Sequence, residues 1–370
     1  MTPIKVLHTE WSGGWGGQEM RILNEMLAVR EQGIDVFLAS TAHARLTEEA
    51  QKHHIPCFHL PFRGNADLKT LYGLYKIIKK EKIDIINTHS GKDTWVGGMA
   101  AKLARIKFIR TRHLSNAINP SRFNFINEMA DYVLTTGEAV RADMIKNNRI
   151  SPEKIRSLPT GIDDAVFDPA RYERQAARKQ FDLADDDFAI GLVAVLRRFK
   201  RHDLFIDMAR VISEEFPKTV FLMAGEGPQR SMLEEKIADS GLTQRIRMTG
   251  HLSEPQILLA ALDLFTLTSE GFEGVPQSVI QALMMGCPVI ATDAGSTADL
   301  WRADNFKLIP QNDLAALLAA VRGMLKDPIR RAQYAECARR SVVPQLSLQQ
   351  MTRQLIALYH DLLGRSYDKP

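Results

Sequence analysis

"DLFTLTSEGFEGVPQSVIQALMMGCPVIAT", residues 263–292, begins and ends in short apolar runs separated by a glycine-rich loop and a helix-period segment. The spacing predicts a strand over 263–269, a helix over 275–285 and a second strand over 288–292. A strand–helix–strand unit of this kind builds a parallel sheet with helices packed on its faces. The same texture extends in both directions. Towards the C-terminus lie an apolar run at 306–310 and helical segments at 312–325, 329–341 and 345–363. Towards the N-terminus, strands are predicted at 188–196, 219–225 and 245–250, with helices at 202–215, 228–239 and 254–261. A charged stretch poor in large apolar side chains, 168–187, reads as a linker with a short helix. Before it, strands at 4–9, 35–40, 55–60, 83–89, 107–113 and 132–137 alternate with helices at 18–32, 44–53, 67–81, 91–104, 121–130 and 138–147, and a strand and turn at 156–163 close that half. The expectation is α/β: two doubly wound, Rossmann-like domains facing across a cleft, residues 1–167 and 168–345, followed by a terminal helical segment, 346–370.

A chain of 370 residues with 45% hydrophobic content supports two such cores. No run reaches the roughly 18 apolar residues of a membrane span. The first residues lack a basic segment followed by an apolar one, so no secretory signal is expected. Three dispersed cysteines argue against a disulfide framework and a cysteine metal site, so a reducing cytoplasm is the expected compartment. The net charge of +4 is uneven, with 23 Lys and Arg against 16 Asp and Glu in residues 1–158. That bias suits an anionic partner: a phosphorylated ligand or an acidic membrane surface. Basic residues are dispersed and no aromatic–basic stacking module is evident, so nucleic acid is not expected as a partner.

In doubly wound sheets ligands gather at the carboxyl ends of strands, beside helix N-termini. Candidate residues therefore follow strands. "EWSGGWGGQE" (10–19) offers glycines, among them Gly16 and Gly17, before a helix. It lacks the spacing of a dinucleotide fingerprint. "RTRHLS" (110–115) presents His113 where a strand ends. "VAVLRRFKRHD" (193–203) sets Arg197, Arg198, Lys200 and Arg201 behind a strand, where cationic groups suit an anionic ligand. "AGEGPQR" (224–230) supplies Gly227, Glu226 and Arg230. In the opening stretch Pro276 fits a helix's first turn. Glu273, Gln277 and Gln281 then share one helical face spanning about 12 Å, and Gly274 and Val275 expose backbone N–H groups. Glu273 also fits the simpler role of stabilising a helix N-terminus.

Taken in order, "GGQE" (16–19), "THSGKD" (88–93), "RTRH" (110–113), "LPTGID" (158–163), "VAVLRRFK" (193–200), "LMAGEGPQR" (222–230) and "EGVPQSVIQALMMGCPVIATD" (273–293) resemble the family 4 retaining glycosyltransferases of GT-B fold, many of them bacterial surface-polysaccharide enzymes. The last segment looks like that family's E-x7-E signature, with Glu273 first and Gln281 in place of the second glutamate; Glu270 falls outside the pair. The resemblance implies transfer of a sugar from a nucleoside diphosphate to a hydroxyl of a glycan or glycolipid, with retention and with no cofactor or metal. Glu273 would meet donor-sugar hydroxyls, and Arg197 and Lys200 would neutralise the departing diphosphate, with Arg198 as substitute. His113 would lie near the reacting sugar. Gly16 and Gly17 would approach the donor phosphate or the acceptor. Gly227, Gly274, Val275, Gln277 and Gln281 would line the nucleotide pocket. The terminal helix would cross back to the first domain, with a hinge near residue 345. A basic helix, "KTLYGLYKIIKKEK" (69–82), either buries its apolar side on its own sheet or lies on an acidic membrane at the cytoplasmic face. Two rival readings stand beside this one: an epimerase of the same architecture, and a nucleotide-sugar-binding protein without turnover.

Overall fold

The computed structural model describes residues 3–113, 118, 125–271 and 273–366. It divides into two compact units. One holds residues 1–161 and 348–370, the other residues 162–347.

In the first unit the chain runs through β1 (Lys5–Glu10), α1 (Gly17–Glu31), β2 (Asp35–Ser40), α2 (Arg45–Lys52), β3 (Cys57–His59), α3 (Leu68–Glu81), β4 (Ile85–Thr88), α4 (Gly91–Ala104), β5 (Lys107–Arg112), β6 (Tyr132–Thr135), α5 (Glu138–Asn148) and β7 (Ile155–Ser157). The described strands form one parallel sheet in the order β3-β2-β1-β4-β5-β6-β7. The second unit follows with α6 (Arg174–Gln180), β8 (Phe188–Val193), α7 (His202–Glu215), β9 (Thr219–Ala224), α8 (Arg230–Asp239), β10 (Ile246–Gly250), α9 (Pro255–Ala261), β11 (Leu264–Leu267), α10 (Gln277–Met284), β12 (Val289–Thr292), β13 (Lys307–Ile309), α11 (Leu314–Lys326) and α12 (Pro328–Leu346). Its sheet is also parallel, in the order β10-β9-β8-β11-β12-β13. The last helix, α13 (Leu348–Leu362), belongs to the first unit.

Both sheets are covered on both faces, which is why their strands read as continuous apolar runs rather than alternating ones. In the first unit, Val6, Ile22, Met26 and Leu38 pack on one side with Leu355 and Tyr359 of α13. Leu7, Leu74, Ile86 and Phe108 pack on the other. In each sheet the strand order reverses once, between β1 and β4 and between β8 and β11. The crevice outside the carboxyl ends at such a reversal is where ligands bind in open α/β sheets.

Several expectations need correction. Residues 125–129 are turn, not part of a helix over 121–130; residues 119–124 lie outside the described set. The helix expected from 275 begins at Gln277, because Pro276 is extended (ψ 118°) and caps it from outside. Glu273 therefore precedes the helix, and the shared helical face holds only for Gln277 and Gln281. The unit boundary falls at 161/162 rather than 167/168, since Ile162 and Phe167 pack into the second unit's core. Ile162 also pairs with Ser347, which moves the second crossing to 347/348.

Candidate active site

In the second unit, β8 and β11 end side by side and their following loops are bonded together. After β8, Leu196 is buried and exchanges backbone bonds with the next strand's loop: its N–H donates to Glu226 O (2.9 Å), and Gln229 N–H donates to its carbonyl (3.1 Å). This close approach explains Gly227. Its φ is +156°, and a Cβ there would sit 2.7 Å from Leu196 O. Gly227 thus props the basic loop from behind, whatever else it touches.

Residues 198–200 form a single 3-10 turn ending at Arg201, which is left-handed (φ 51°). The β11 loop holds this turn in place. Thr268 Oγ1 donates to the carbonyls of Lys200 (3.0 Å) and Arg201 (2.9 Å), and Glu270 N–H donates to Phe199 O (2.7 Å). With its backbone fixed, Lys200 reaches Glu273: Nζ to Oε1 is 2.5 Å, and both side chains are largely buried. Glu270 has other work, pairing with Arg201 Nη1 at 3.2 Å, while Arg201 also grips Asp203. Arg197 and Arg198 are exposed, and their guanidinium groups pair with no described residue.

Glu273 is held through its own carbonyl. Gly295 turns beneath it at φ +58°, where a Cβ would lie 1.8 Å from Glu273 O, and Ser296 N–H donates to the same oxygen (3.3 Å). Beyond it, the N–H groups of Gly274 and Val275 donate to no described residue, and α10 begins three residues later, after Val275 and Pro276 have turned inward. On α10, Gln281 is half-buried with its amide unbonded to any described group; Gln277 lies one turn before it. The result is one lysine–carboxylate pair, with two more arginines in the lysine's loop and backbone donors unbonded to any described residue just after the glutamate, which suits an anion joined to a polyhydroxyl group.

The first unit carries a different kind of site at its own sheet reversal. His8 on β1, His89 after β4 and His113 after β5 come from three neighbouring strands. They form a row: His8 Nδ1 lies 3.0 Å from His89 Nε2, and His89 Nδ1 lies 3.0 Å from His113 Nε2. Burial drives all three towards the neutral form, His8 down to about 3 and the other two well below their ordinary value. Around them, Glu10 accepts from Ser12 N–H (2.7 Å) and Ser90 Oγ (2.8 Å), and Asp93 accepts from Thr9 Oγ1 (2.8 Å) and His89 N–H (2.8 Å). Burial beside Glu10 raises Asp93 to about 7. Gly16 caps α1 in extended backbone and Gly17 opens that helix.

Of the residues singled out in the sequence, the fold brings Lys200 and Glu273 into contact and sets Arg197, Arg198, Gly274 and Val275 in the loops around them. Gly16, Gly17 and His113 belong to the other unit. Sequence reasoning overlooked His8, His89, Glu10 and Asp93. The usable signal was positional: each histidine sits at the carboxyl end of a predicted strand, and those strands become neighbours once the sheet order is known.

Two sequence-family models match the chain, "Glycosyltransferase Family 4" over residues 15–166 and "Glycosyl transferases group 1" over residues 173–341. The Escherichia coli UDP-Gal:alpha-D-GlcNAc-diphosphoundecaprenol alpha-1,3-galactosyltransferase is 25% identical over 380 residues, 97% of each chain. Among solved structures, a glycosyltransferase from Rickettsia africae ESF-5 superposes with a TM-score of 0.89 at 21% identity, covering 99% of this chain and 100% of that one. Anabaena Alr3699/HepE in complex with UDP-glucose gives 0.84 at 20% identity, covering 97% and 100%.

Proposed function

The chain belongs to the family 4 glycosyltransferases of GT-B fold, and from that membership we propose a retaining, metal-independent enzyme that builds a bacterial surface glycan on a glycolipid acceptor. The Escherichia coli relative takes UDP-galactose and a diphosphoundecaprenol-linked acceptor, which supports a UDP-hexose donor and a lipid-linked acceptor here. The single observation that carries the reading of the site is the Lys200–Glu273 pair, seated at the sheet reversal in a loop whose Arg197 and Arg198 pair with no described residue.

As the glycosidic bond breaks, the sugar gains oxocarbenium character and the diphosphate gains negative charge. Lys200, Arg197 and the backbone N–H groups of Gly274 and Val275 meet that charge, with Arg198 in reserve. Such donors, fixed before the reaction, cost no reorganisation when charge develops. Glu273, relieved of Lys200 once phosphate oxygens arrive, accepts hydrogen bonds from donor-sugar hydroxyls. The departing phosphate takes the proton of an acceptor hydroxyl attacking on the same face, which preserves the anomeric configuration. No divalent ion is required for this balance of charge.

The test is turnover on a panel of UDP-, GDP- and ADP-sugars with a polyprenyl-diphosphate glycan acceptor. Lys200→Ala and Glu273→Gln should each lower kcat by roughly 100–1000-fold at near-native melting temperature, whereas Glu270→Gln should act mildly. Proton NMR of the product reads retention, and undiminished rate in chelator supports metal independence. A dead Glu270→Gln with an active Glu273→Gln would invert the assignment.

We place the enzyme at the cytoplasmic membrane face, on α3. Thr70, Leu74 and Ile78 bury one side of that helix, while Leu68 and Tyr72 are 77% and 57% exposed. Helical spacing puts Lys76 and Lys79 beside them. Apolar tips among lysines suit an anionic bilayer. Co-sedimentation should favour anionic over zwitterionic vesicles, and Leu68→Glu with Tyr72→Glu should abolish the preference; equal sedimentation with both vesicle types counts against it.

A further inference from the structure

Three imidazoles in a row with two 3.0 Å contacts constrain one another. A neutral imidazole has one N–H and one lone pair. If His89 accepts at Nε2 it must donate at Nδ1, and the reverse. All protons in the row therefore point the same way, and the His113 end inherits a polarity chosen at the His8 end. At the first, His113 Nδ1 bonds to no described residue; at the second, His8 Nε2 also lacks a partner among them.

We propose that His8 and His89 are positioning residues that hold His113 as the Nε2–H tautomer, so that its Nδ1 presents a lone pair to the substrate. The contacts and the chemistry of the ring give the direction. Each contact joins an Nδ1 to an Nε2, so all three rings must share one tautomer. The Nε2–H form is the intrinsically favoured tautomer of neutral imidazole, and only the direction with N–H groups pointing from His113 towards His8 places all three rings in it. The unpartnered His8 Nε2 does not discriminate, because either direction leaves one buried nitrogen without a bond.

The consequence for the reaction rests on the reading of His113 as a residue that meets the sugar. An acceptor nitrogen takes a hydrogen bond from a hydroxyl. It cannot donate to a phosphate oxygen, so His113 orients a sugar and contributes nothing to the departing diphosphate.

The tautomers are read directly by two-bond proton–nitrogen correlation on the full chain labelled at histidine nitrogen, without any ligand. The expected pattern at pH 7.5 is protonated Nε2 and bare Nδ1 at residues 8, 89 and 113. His8→Phe removes the acceptor for His89 and should shift His113 towards the Nδ1–H form. It should lower kcat/KM by about tenfold, the kinetic equivalent of one hydrogen bond. His8→Asn, whose amide oxygen can replace the ring nitrogen as acceptor, should restore both pattern and rate. A protonated Nδ1 at His113 in the unaltered chain overturns the proposal whether or not the chain transfers sugar. The expected tautomers with no turnover on any donor would instead count against the proposed function.

Discussion

Gln281 is where this chain departs from the glutamate expected by family resemblance. Its amide is half-buried on α10 and unbonded to any described residue. An amide can give and take a hydrogen bond with a ribose diol, but it lacks the charge that makes such bonds roughly twice as strong. Gln281→Glu is therefore expected to tighten nucleoside diphosphate binding by about 3- to 10-fold, read by titration calorimetry with UDP, GDP and ADP. Unchanged or weaker binding of all three would place the nucleotide away from this side chain. At this scale the family resemblance, not the spacing alone, prefers Glu273 to Glu270; in the fold Glu273 pairs with Lys200 and Glu270 with Arg201. Position relative to the helix was not legible. Proline fits both a first helical turn and the residue before it, and only the extended ψ of Pro276 places Glu273 outside α10.

At the scale of elements, the site depends on loops locked from behind by glycines. Gly295 approaches Glu273 O so closely, in left-handed backbone, that any side chain must displace the carboxylate's own peptide. Gly295→Ala is expected to cut kcat at least as strongly as Glu273→Gln and to cost about 2–4 kcal/mol of stability. Kinetics and chemical denaturation check the two effects separately, and a variant with normal kcat would show the loop to be free to move. Element boundaries were legible where local chemistry sets them. The predicted helix 91–104 has the same ends as α4 because Ser90 and Asp93 form a capping box at its start. The departure at 125–129 has a tertiary cause. Ile126 and Ala130 are buried and Phe125 stands edge-on to Trp95 of α4, so the apolar spacing there serves packing onto a neighbour rather than a helix of its own. Gly98 of α4 makes room for this contact, since a Cβ would meet Ile126 at 2.9 Å. No local signal separates such a run from an amphipathic helix.

At the scale of the whole molecule, the chain leaves the first unit at residue 161 and returns to it at 348, so the unit's core is completed by a segment distant in sequence. The amphipathic period of α13 is plain in the sequence; that it crosses back to the first unit comes only from the family resemblance, because nothing local records a contact more than 300 residues away. The structure supplies the matching partner. Met351, Leu355, Ile356, Leu358 and Tyr359 are buried among core residues of the first unit, and the Tyr359 hydroxyl donates to Glu25 (3.4 Å), whose carboxylate lies 3.7 Å from the fully buried Arg21. Arg21 in turn donates to Leu158 O (2.7 Å), so the helix is tied to the strand end just before the first crossing. Removing one methyl-rich side chain from this seam should destabilise one unit selectively. Leu355→Ala is expected to cost about 2–5 kcal/mol, and Tyr359→Phe about 1–2 kcal/mol, for the bond lost by a buried charge. Hydrogen exchange on the full chain distinguishes where that loss falls. Protection should drop across β1, β2 and α1 and persist across β8, β9 and β11, because α13 contributes no side chain to the second unit's cores. Equal loss in both units would mean that they unfold as one cooperative body, and that α13 stabilises the whole chain rather than the sheet it covers.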